Sequence, residues 1–368
     1  VTKEPETIFD WSASNGMLGA AEMCNGSGDC RKTQLAGGTM CPSYMGTRDE
    51  KDTTRARANL LRDALTKGHV NARKSVFDNP DVKEVLDLCL SCKGCKKECP
   101  STVDMAKLKA EFMQHYYDAN GVPLRSRMIA TFAQSQKLAA KAPWAWNALF
   151  GTPWIRRLLN SAVGFHPDRT IPLLPGQTLA RWFRDHVPHA NAGQVGKVWF
   201  FNDEFTNYYD AEIGKDAVIL LEKLCYEVKN VNHEESGRSH ISKGFLREAK
   251  EICNTNVAVF KDLITDDIPL VGVEPSAILT FRDEYLRLAE DKTSAEKIAK
   301  NSFTFEEFLA KEIKKENIDK SLFTSEKKTL KIHGHCHQKA LSGTIASFEM
   351  LNLPENYAVT IMNTGCCG

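Results

Sequence analysis

The stretch DLCLSCKGCKKECPSTVDM carries cysteines at 89, 92, 95 and 99 in the order Cys-x-x-Cys-x-x-Cys-x-x-x-Cys-Pro. That spacing is the ferredoxin-type iron–sulfur signature. Three thiolates two residues apart wrap one iron cube, and the fourth, freed by the following proline, points away toward a second cluster. Cys89, Cys92 and Cys95 are therefore expected to hold one 4Fe-4S cluster, with Cys99 lent elsewhere. A structural zinc is the competing use of four cysteines, but zinc sites seldom pack them this closely before a proline.

A lent cysteine needs a recipient. The earlier stretch EMCNGSGDCRKTQLAGGTMCPSY is an altered copy of the same motif. Cys24 and Cys30 stand at the first and third ligand places, Ser27 takes the second, and Cys41-Pro42 follows a longer insertion. By exchange of the last cysteines, Cys41 completes the cluster of Cys89, Cys92 and Cys95. The companion site is then Cys24, Cys30 and Cys99, with Ser27, Asp29 or solvent in fourth position. A serine alkoxide is a harder, poorer ligand than a thiolate, so this second cluster is open to being labile, altered or absent. Gly26, Gly28, Gly37 and Gly38 suit a backbone bending around a cofactor.

HGHCHQKAL at 333–341 and GCCG at 365–368 form a third constellation. Cys336, Cys366 and Cys367 converge if the first ends a strand and the pair lies in the next strand-to-helix turn. Iron–sulfur or redox use is the leading reading. A zinc site drawing on His333, His335 or His337 and plain structural roles are the alternatives. Cys225 and Cys253 lie in helical apolar patterns and read as buried core thiols.

The elements that must position these residues follow from periodicity. Val82, Val85, Leu86 and Cys89 before the central motif, and Met105, Leu108, Phe112 and Met113 after it, keep helical spacing. The motif is thus expected between two helices with inward apolar faces. Beyond about residue 195, short apolar strands such as KVWFFN, PLVGVE and LKIHG alternate with amphipathic helices, an α/β texture. VWFFNDEFTNYYD leading to EESG parallels LKIHGHCHQKAL leading to GCCG, as two copies of one unit. Between them, FTFEEFLAKEIKKENIDKSLFTSEKK reads as a solvated helix and linker. The expected organisation is an α-helical ferredoxin-like domain at 1–140, a helical, Pro-rich connector at 141–195, an α/β unit at 196–295, and a linker helix with a second, truncated unit at 296–368. Within the connector, Trp144, Trp146 and Trp154 beside Arg156 and Arg157 read either as packing on their own protein or as an interfacial surface.

Bulk composition narrows the function classes. The 368 residues are 42% hydrophobic, enough for two or three buried cores, and 48 basic against 47 acidic residues leave a net charge of +1. No global field recruits nucleic acid or an anionic membrane. Twelve cysteines grouped in short motifs favour metal binding in a reducing compartment over a disulfide framework. No run reaches the roughly 18 apolar residues of a membrane span. A first residue other than methionine reads as a cut inside a longer protein, and the end at Gly368 as a missing continuation.

CNGSGDCRKT, GGTMCPSYMGTRDEKDTTRARANLLRDAL, LDLCLSCKGCKKECPSTVDMAKLKAEF, EPSA and HGHCHQKAL with NTGCCG resemble one family across nearly the whole chain. This is the iron–sulfur region of FAD-linked D-2-hydroxyacid dehydrogenases, of the D-lactate and D-2-hydroxyglutarate dehydrogenase type. It is also similar to the iron–sulfur subunit of glycolate oxidase and to the C subunit of anaerobic glycerol-3-phosphate dehydrogenase. The resemblance implies a fold of α plus α/β class: an α-helical ferredoxin domain followed by two cysteine-rich CCG-type units, the second truncated. Departures are HEESGRS where CCG is usual and Ala277 ending EPSA where cysteine is common, so the first unit is expected to be metal-free and structural.

The implied function is electron transfer from reduced flavin to a quinone, flavoprotein or other acceptor. The cysteines would act as ligands, and the chain alone would not turn over substrate. One 4Fe-4S cluster is expected and a second is left open, while FAD belongs to a separate amino-terminal oxidase domain of the same polypeptide or complex. No nucleic-acid partner is expected. The implied location is cytoplasmic, with peripheral contact at the inner membrane face. Arg31, Lys32, Arg48, Arg55 and Arg57 either tune cluster charge or orient the flavin domain, or are ordinary surface positions. The alternative function is a non-redox scaffold or sensor with vestigial clusters.

Overall fold

Helical spacing around the central motif is realised as two helices, Pro80–Asp87 and Met105–Asn120. Asn79 starts the first, its side-chain oxygen accepting the Asp81 and Val82 amides with Pro80 at the first helical position. Val82 and Leu86 are buried from that helix, and Met105, Leu108, Phe112 and Met113 from the other. In the computed structural model, described here over residues 5–67 and 75–366, the chain divides into two compact units. One comprises Val1–Gly121, Gly244–Lys250 and Leu309–Gly368; the other comprises Val122–Lys243 and Glu251–Phe308.

The first unit holds the cysteine motifs. Its core gathers Phe9, Met17, Leu61, Leu86, Leu108 and Phe112. The buried Glu111 carboxylate accepts the amides of Ile8 (2.7 Å) and Phe9 (2.9 Å), the Trp11 indole N–H (3.2 Å), and faces His115 Nε2 (3.0 Å). One side chain thereby ties the segment before the first motif to the helix after the second. This unit also contains a two-stranded parallel sheet, introduced below in chain order.

The second unit carries a four-stranded parallel sheet: β1 (Gly196–Phe200), β2 (Tyr226–Lys229), β3 (Leu270–Gly272) and β4 (Ser302–Thr304), in spatial order β2-β1-β3-β4. Register runs from Val198 opposite Val228 to Phe200 opposite Val271. The helix Ala211–Lys223 crosses from β1 to β2, and Leu179, Phe200, Ala211 and Val218 pack into one cluster. In the first unit, β5 (Lys328–Ile332) pairs with β6 (Tyr357–Ile361) in parallel, Ile332 opposite Ile361. This mixture of helices and small parallel sheets agrees with the expected α plus α/β class. No helix among the described residues is long and apolar enough to cross a membrane.

Several local expectations are corrected. Cys225 is not in a helix: it sits half-buried in a left-handed turn (φ 66°) leading into β2, whereas Cys253 is a fully buried helical thiol. The charged stretch after Asn301 is not wholly solvated. It opens with β4, and its helix Phe305–Lys314 buries Phe308, Leu309 and Ala310. Arg57 is no surface position, being 2% exposed, with its guanidinium donating to Val85 O (2.9 Å) and Ser43 Oγ (3.0 Å) beside Asp52.

Candidate metal centre

The helix Thr54–Lys67 begins against two sulfurs. The first amides of a helix have no partner within it, and here each of the first three has one outside. The Thr54 N–H donates to Cys41 Sγ at 3.0 Å, the Arg55 N–H to the Cys30 sulfur, and the Ala56 N–H to Thr53 Oγ1 at 3.0 Å. The Thr54 hydroxyl lies a further 2.9 Å from Cys41 Sγ. A helix start favours negative charge, so this end suits thiolates. Cys30 and Cys41 also hydrogen-bond each other. The Cys41 side chain, aided by the Arg55 amide and the Thr53 side chain, lowers the Cys30 thiol to about 6 against its burial. The same hydrogen bond to Cys30, then burial, pushes the Cys41 thiol up. Cys24 lies near enough to Arg55 for their charges to interact. Ser27 and Asp29, the non-cysteine candidates for the fourth position, both lie outside the buried core.

The central motif turns around the short helix Gly94–Glu98. Ser91 and Lys93 take left-handed backbone (φ 54° and 61°), as does Cys41 (φ 55°). Each costs on the order of 1 kcal/mol for a residue with a side chain, a strain that accumulates where structure serves a site. These turns direct the Gly94 amide onto the Cys92 sulfur, while the Met105 amide reaches the Cys95 sulfur. Burial pushes the Cys92 thiol up to about 12, with the Cys89 and Cys366 charges adding to it. Burial, then Asp104, raises Cys95 as well. Lys93, Lys96 and Lys107 surround Asp104 at 3.6, 3.9 and 3.5 Å, leaving positive charge in excess beside these sulfurs.

The two groups meet through Cys41, which is bonded to Cys30 and also feels the charge of Cys95. Close backbone approach makes this meeting stereospecific. A Cβ on Gly94 would lie 3.0 Å from the Thr39 carbonyl carbon and oxygen, so a side chain there would press on the backbone before Cys41. Glu98 fixes that segment from the other side, accepting the amides of Thr39 (2.5 Å) and Met40 (3.1 Å) and pairing with Lys32 Nζ (3.1 Å). A Cβ on Gly38 would fall 2.5 Å from the same carboxylate. Cys99 is buried directly after the helix, its amide bonded to Cys95 O.

The third constellation assembles at the carboxyl ends of β5 and β6, where parallel strands open a crevice. Cys336 begins the helix Cys336–Leu341 and lies 3.4 Å from Cys366, sulfur to sulfur. Lys339 Nζ holds the second loop through Thr364 O and Gly365 O, both at 2.9 Å. That helix packs on Gly94–Glu98, which brings Cys366 into the field of Cys92. Cys367 lies outside the described residues. Among the histidines offered for zinc, His335 stacks on His337 and caps its amide.

In the second unit the stretch HEESGRS and its neighbours are polar and joined to one another. Ser236 donates its amide and hydroxyl to Glu204 (2.8 and 2.6 Å), Arg238 pairs with Glu284 at 2.5 Å, and Glu274 accepts from Ser276 at 3.0 Å. Ala277 is buried.

The donor set fits an iron–sulfur cluster. Buried thiols that resist ionisation lose that penalty when bound iron replaces the proton. Amide donors to Cys30, Cys41, Cys92 and Cys95 are the kind of contact that stabilises cluster sulfurs. Among the described residues no three His, Cys, Asp or Glu converge as a single ion requires. A four-iron cube is wider than one ion, and its thiolates stand correspondingly further apart.

A family model described as 4Fe-4S dicluster domain matches residues 23–104, the span containing both cysteine groups. The chain carries a 4Fe-4S dicluster domain. Its relatives extend over the rest of the chain. It is 27% identical over 390 aligned residues to D-2-hydroxyglutarate dehydrogenase of Escherichia coli strain K12, covering 95% of this chain and 37% of that protein. The enzyme of the same name from Pseudomonas putida is 26% identical, over 73% of this chain and 30% of that enzyme. The C subunit of anaerobic glycerol-3-phosphate dehydrogenase from E. coli K12 is 25% identical, over 58% of this chain and 53% of that protein. The chain thus spans about a third of the length of the dehydrogenases it matches. No solved structure matches it.

The dicluster domain draws on residues that no spacing rule singled out. Glu98, Lys93 and Asp104 stand in KKECP and its neighbours with no spacing pattern of their own. Only the Thr53 cap had a local signal, a threonine just before an amphipathic helix.

Proposed function

We propose that this chain is the iron–sulfur electron-transfer region of an FAD-linked 2-hydroxyacid dehydrogenase, carrying electrons between reduced flavin and a quinone or other acceptor. The observation that supports the reading is the hydrogen bond between Cys30 and Cys41, with Cys41 also in the field of Cys95 and backbone amides aimed at the sulfurs of Cys41 and Cys95. When bound, a 4Fe-4S cluster supplies one-electron transfer without proton chemistry. Cys89, Cys92, Cys95 and Cys41 would hold the first cluster, and Cys24, Cys30 and Cys99 the second. Thr54 and Arg55 orient the sulfurs through their amides. The lysines at 93, 96 and 107 bias the charge beside them toward the reduced state. Cys336, Cys366 and Cys367, the second of them in the field of the central motif, would form the redox-active CCG-type unit, while the polar network around Ser236 makes the other unit a scaffold.

The dehydrogenase relatives support a flavoprotein donor, and a 2-hydroxy acid is the substrate class their names carry. The test is optical. Anaerobically prepared protein is expected to absorb broadly near 400 nm and to bleach with dithionite. A chain without that chromophore would instead be the non-redox scaffold.

A further inference from the structure

The second unit contains a cavity that electron transfer does not use. It measures about 610 Å³ and lies outside the carboxyl ends of β1 and β2, lined there by Asn202, Tyr208 and the run from Asn230 to Glu235. That end of a parallel sheet is where open α/β folds take their ligands, and the volume is that of a small-molecule site. The rest of the wall comes from the helices Phe132–Ala139 and Leu179–Asp185 and the segments beside them.

Charge is divided between these two sources. From the helices come Lys137, Lys141, Arg181 and Arg184, all exposed. Arg181 and Arg184 stand three residues apart on one helix face, and Lys137 and Lys141 four apart along a helix and its closing turn. Among the described residues, no acid pairs with any of these four side chains. From the strand loops come three acids. Glu204 is spent within the protein, accepting the Ser236 amide and hydroxyl at 2.8 and 2.6 Å in the field of Arg238. Burial, then the charges of Glu204 and Glu234, pushes Glu235 up to about 8, so it keeps its proton at neutral pH. Glu234 is the exposed one. Four cations against it leave the exposed part of the wall positive. Two buried oxygens of the wall, Asn202 Oδ1 and Glu235 Oε2, have no hydrogen-bond partner in the protein, His240 Nδ1 standing 3.7 Å from the second. Such orphaned atoms call for a donor.

We propose that this cavity binds the phosphate ester of a small hydroxylated molecule, its phosphate on Lys137, Lys141, Arg181 and Arg184 and its hydroxyls on Asn202, Asn232 and Glu235. A phosphate monoester brings nearly two negative charges at neutral pH where a lone carboxylate brings one, and guanidinium forks match its oxygens in pairs. Glu234 disfavours a second anionic end. Hydroxyls suit the loops instead, since they donate to the orphaned oxygens and accept from the carboxamides. A single metal ion does not fit, because the described residues gather no three His, Cys, Asp or Glu for one. Such binding goes beyond electron transfer and stands independently of cluster content.

The test is isothermal titration calorimetry of the 368-residue chain with ribose 5-phosphate, AMP, inorganic phosphate and ribose. Saturable binding at a single site is expected for at least one of the two esters, tighter binding of the first marking a sugar phosphate and of the second a nucleotide. Inorganic phosphate, which leaves the hydroxyl partners unused, is expected to bind about tenfold more weakly, and ribose not measurably. Arg181→Glu/Arg184→Glu is expected to weaken ester binding by about tenfold or more. Both arginines are exposed, and an unchanged far-ultraviolet circular dichroism spectrum verifies the fold of the variant. No binding of either ester, or binding undiminished in the double variant, would overturn the proposal. Inorganic phosphate bound as tightly as the esters would reveal an adventitious ion only, and would overturn it as well.

Discussion

Glu98→Ala is expected to lower stability by about 2–4 kcal/mol and to cost the chain most of its bound iron, because two buried amides lose their acceptor together. Thr39 and Met40 are 3% and 1% exposed, so water does not replace the carboxylate. Both precede Cys41 directly, and that cysteine joins the two sulfur groups. Glu98→Gln keeps an acceptor oxygen but loses the charge and the Lys32 pair, and should fall between the two. Thermal unfolding followed by circular dichroism, with iron counted on the same samples, checks this. An alanine variant with the parent's melting temperature and iron content would mean that the segment before Cys41 is held by its own packing.

The second large effect is expected at Glu111. Its fully buried carboxylate gathers three donors from the segment Ile8–Trp11 and faces His115. Glu111→Ala leaves those donors buried and unpaired, at a cost of about 3–5 kcal/mol. Glu111→Gln retains an acceptor and should be milder. A urea titration reads the difference as a shift in midpoint. The loosened segment should also become open to proteolysis near Phe9, whose ring now packs edge-on against Trp11 at 6.0 Å. Unchanged midpoints in the alanine variant would contradict the anchoring role.

The contrast between these two residues and the cysteines marks what a single sequence exposes. Cysteine spacing is a local pattern with a narrow chemical meaning, so the ligand candidates were legible. So were the flanking helices, since the periodicity of Val82 and Leu86, or of Leu108 and Phe112, is also local. Glu98 and Glu111 were not legible, because their partners lie 59 and 102 residues away and their charge suggests solvent. Arg57 misled for the same reason: its burial is decided by Ser43, Asp52 and Val85 together. Cys225 misled differently, since a run of apolar residues does not reveal the left-handed turn that ends it. The return of Cys336 to the Gly94 helix was beyond any spacing rule, although the convergence of Cys336 with Cys366 across two parallel strands followed from the strand pattern.

On the proposed reading, Cys89, Cys92, Cys95 and Cys41 hold an iron–sulfur cluster. Its most direct test is iron and acid-labile sulfide per chain in anaerobically prepared protein, beside Cys92→Ala. About four irons with matching sulfide are expected for one cluster, or about eight if Cys24, Cys30 and Cys99 hold a second, with at least one cluster's worth lost in the variant. Protein without iron, or iron that survives Cys92→Ala undiminished, would contradict it.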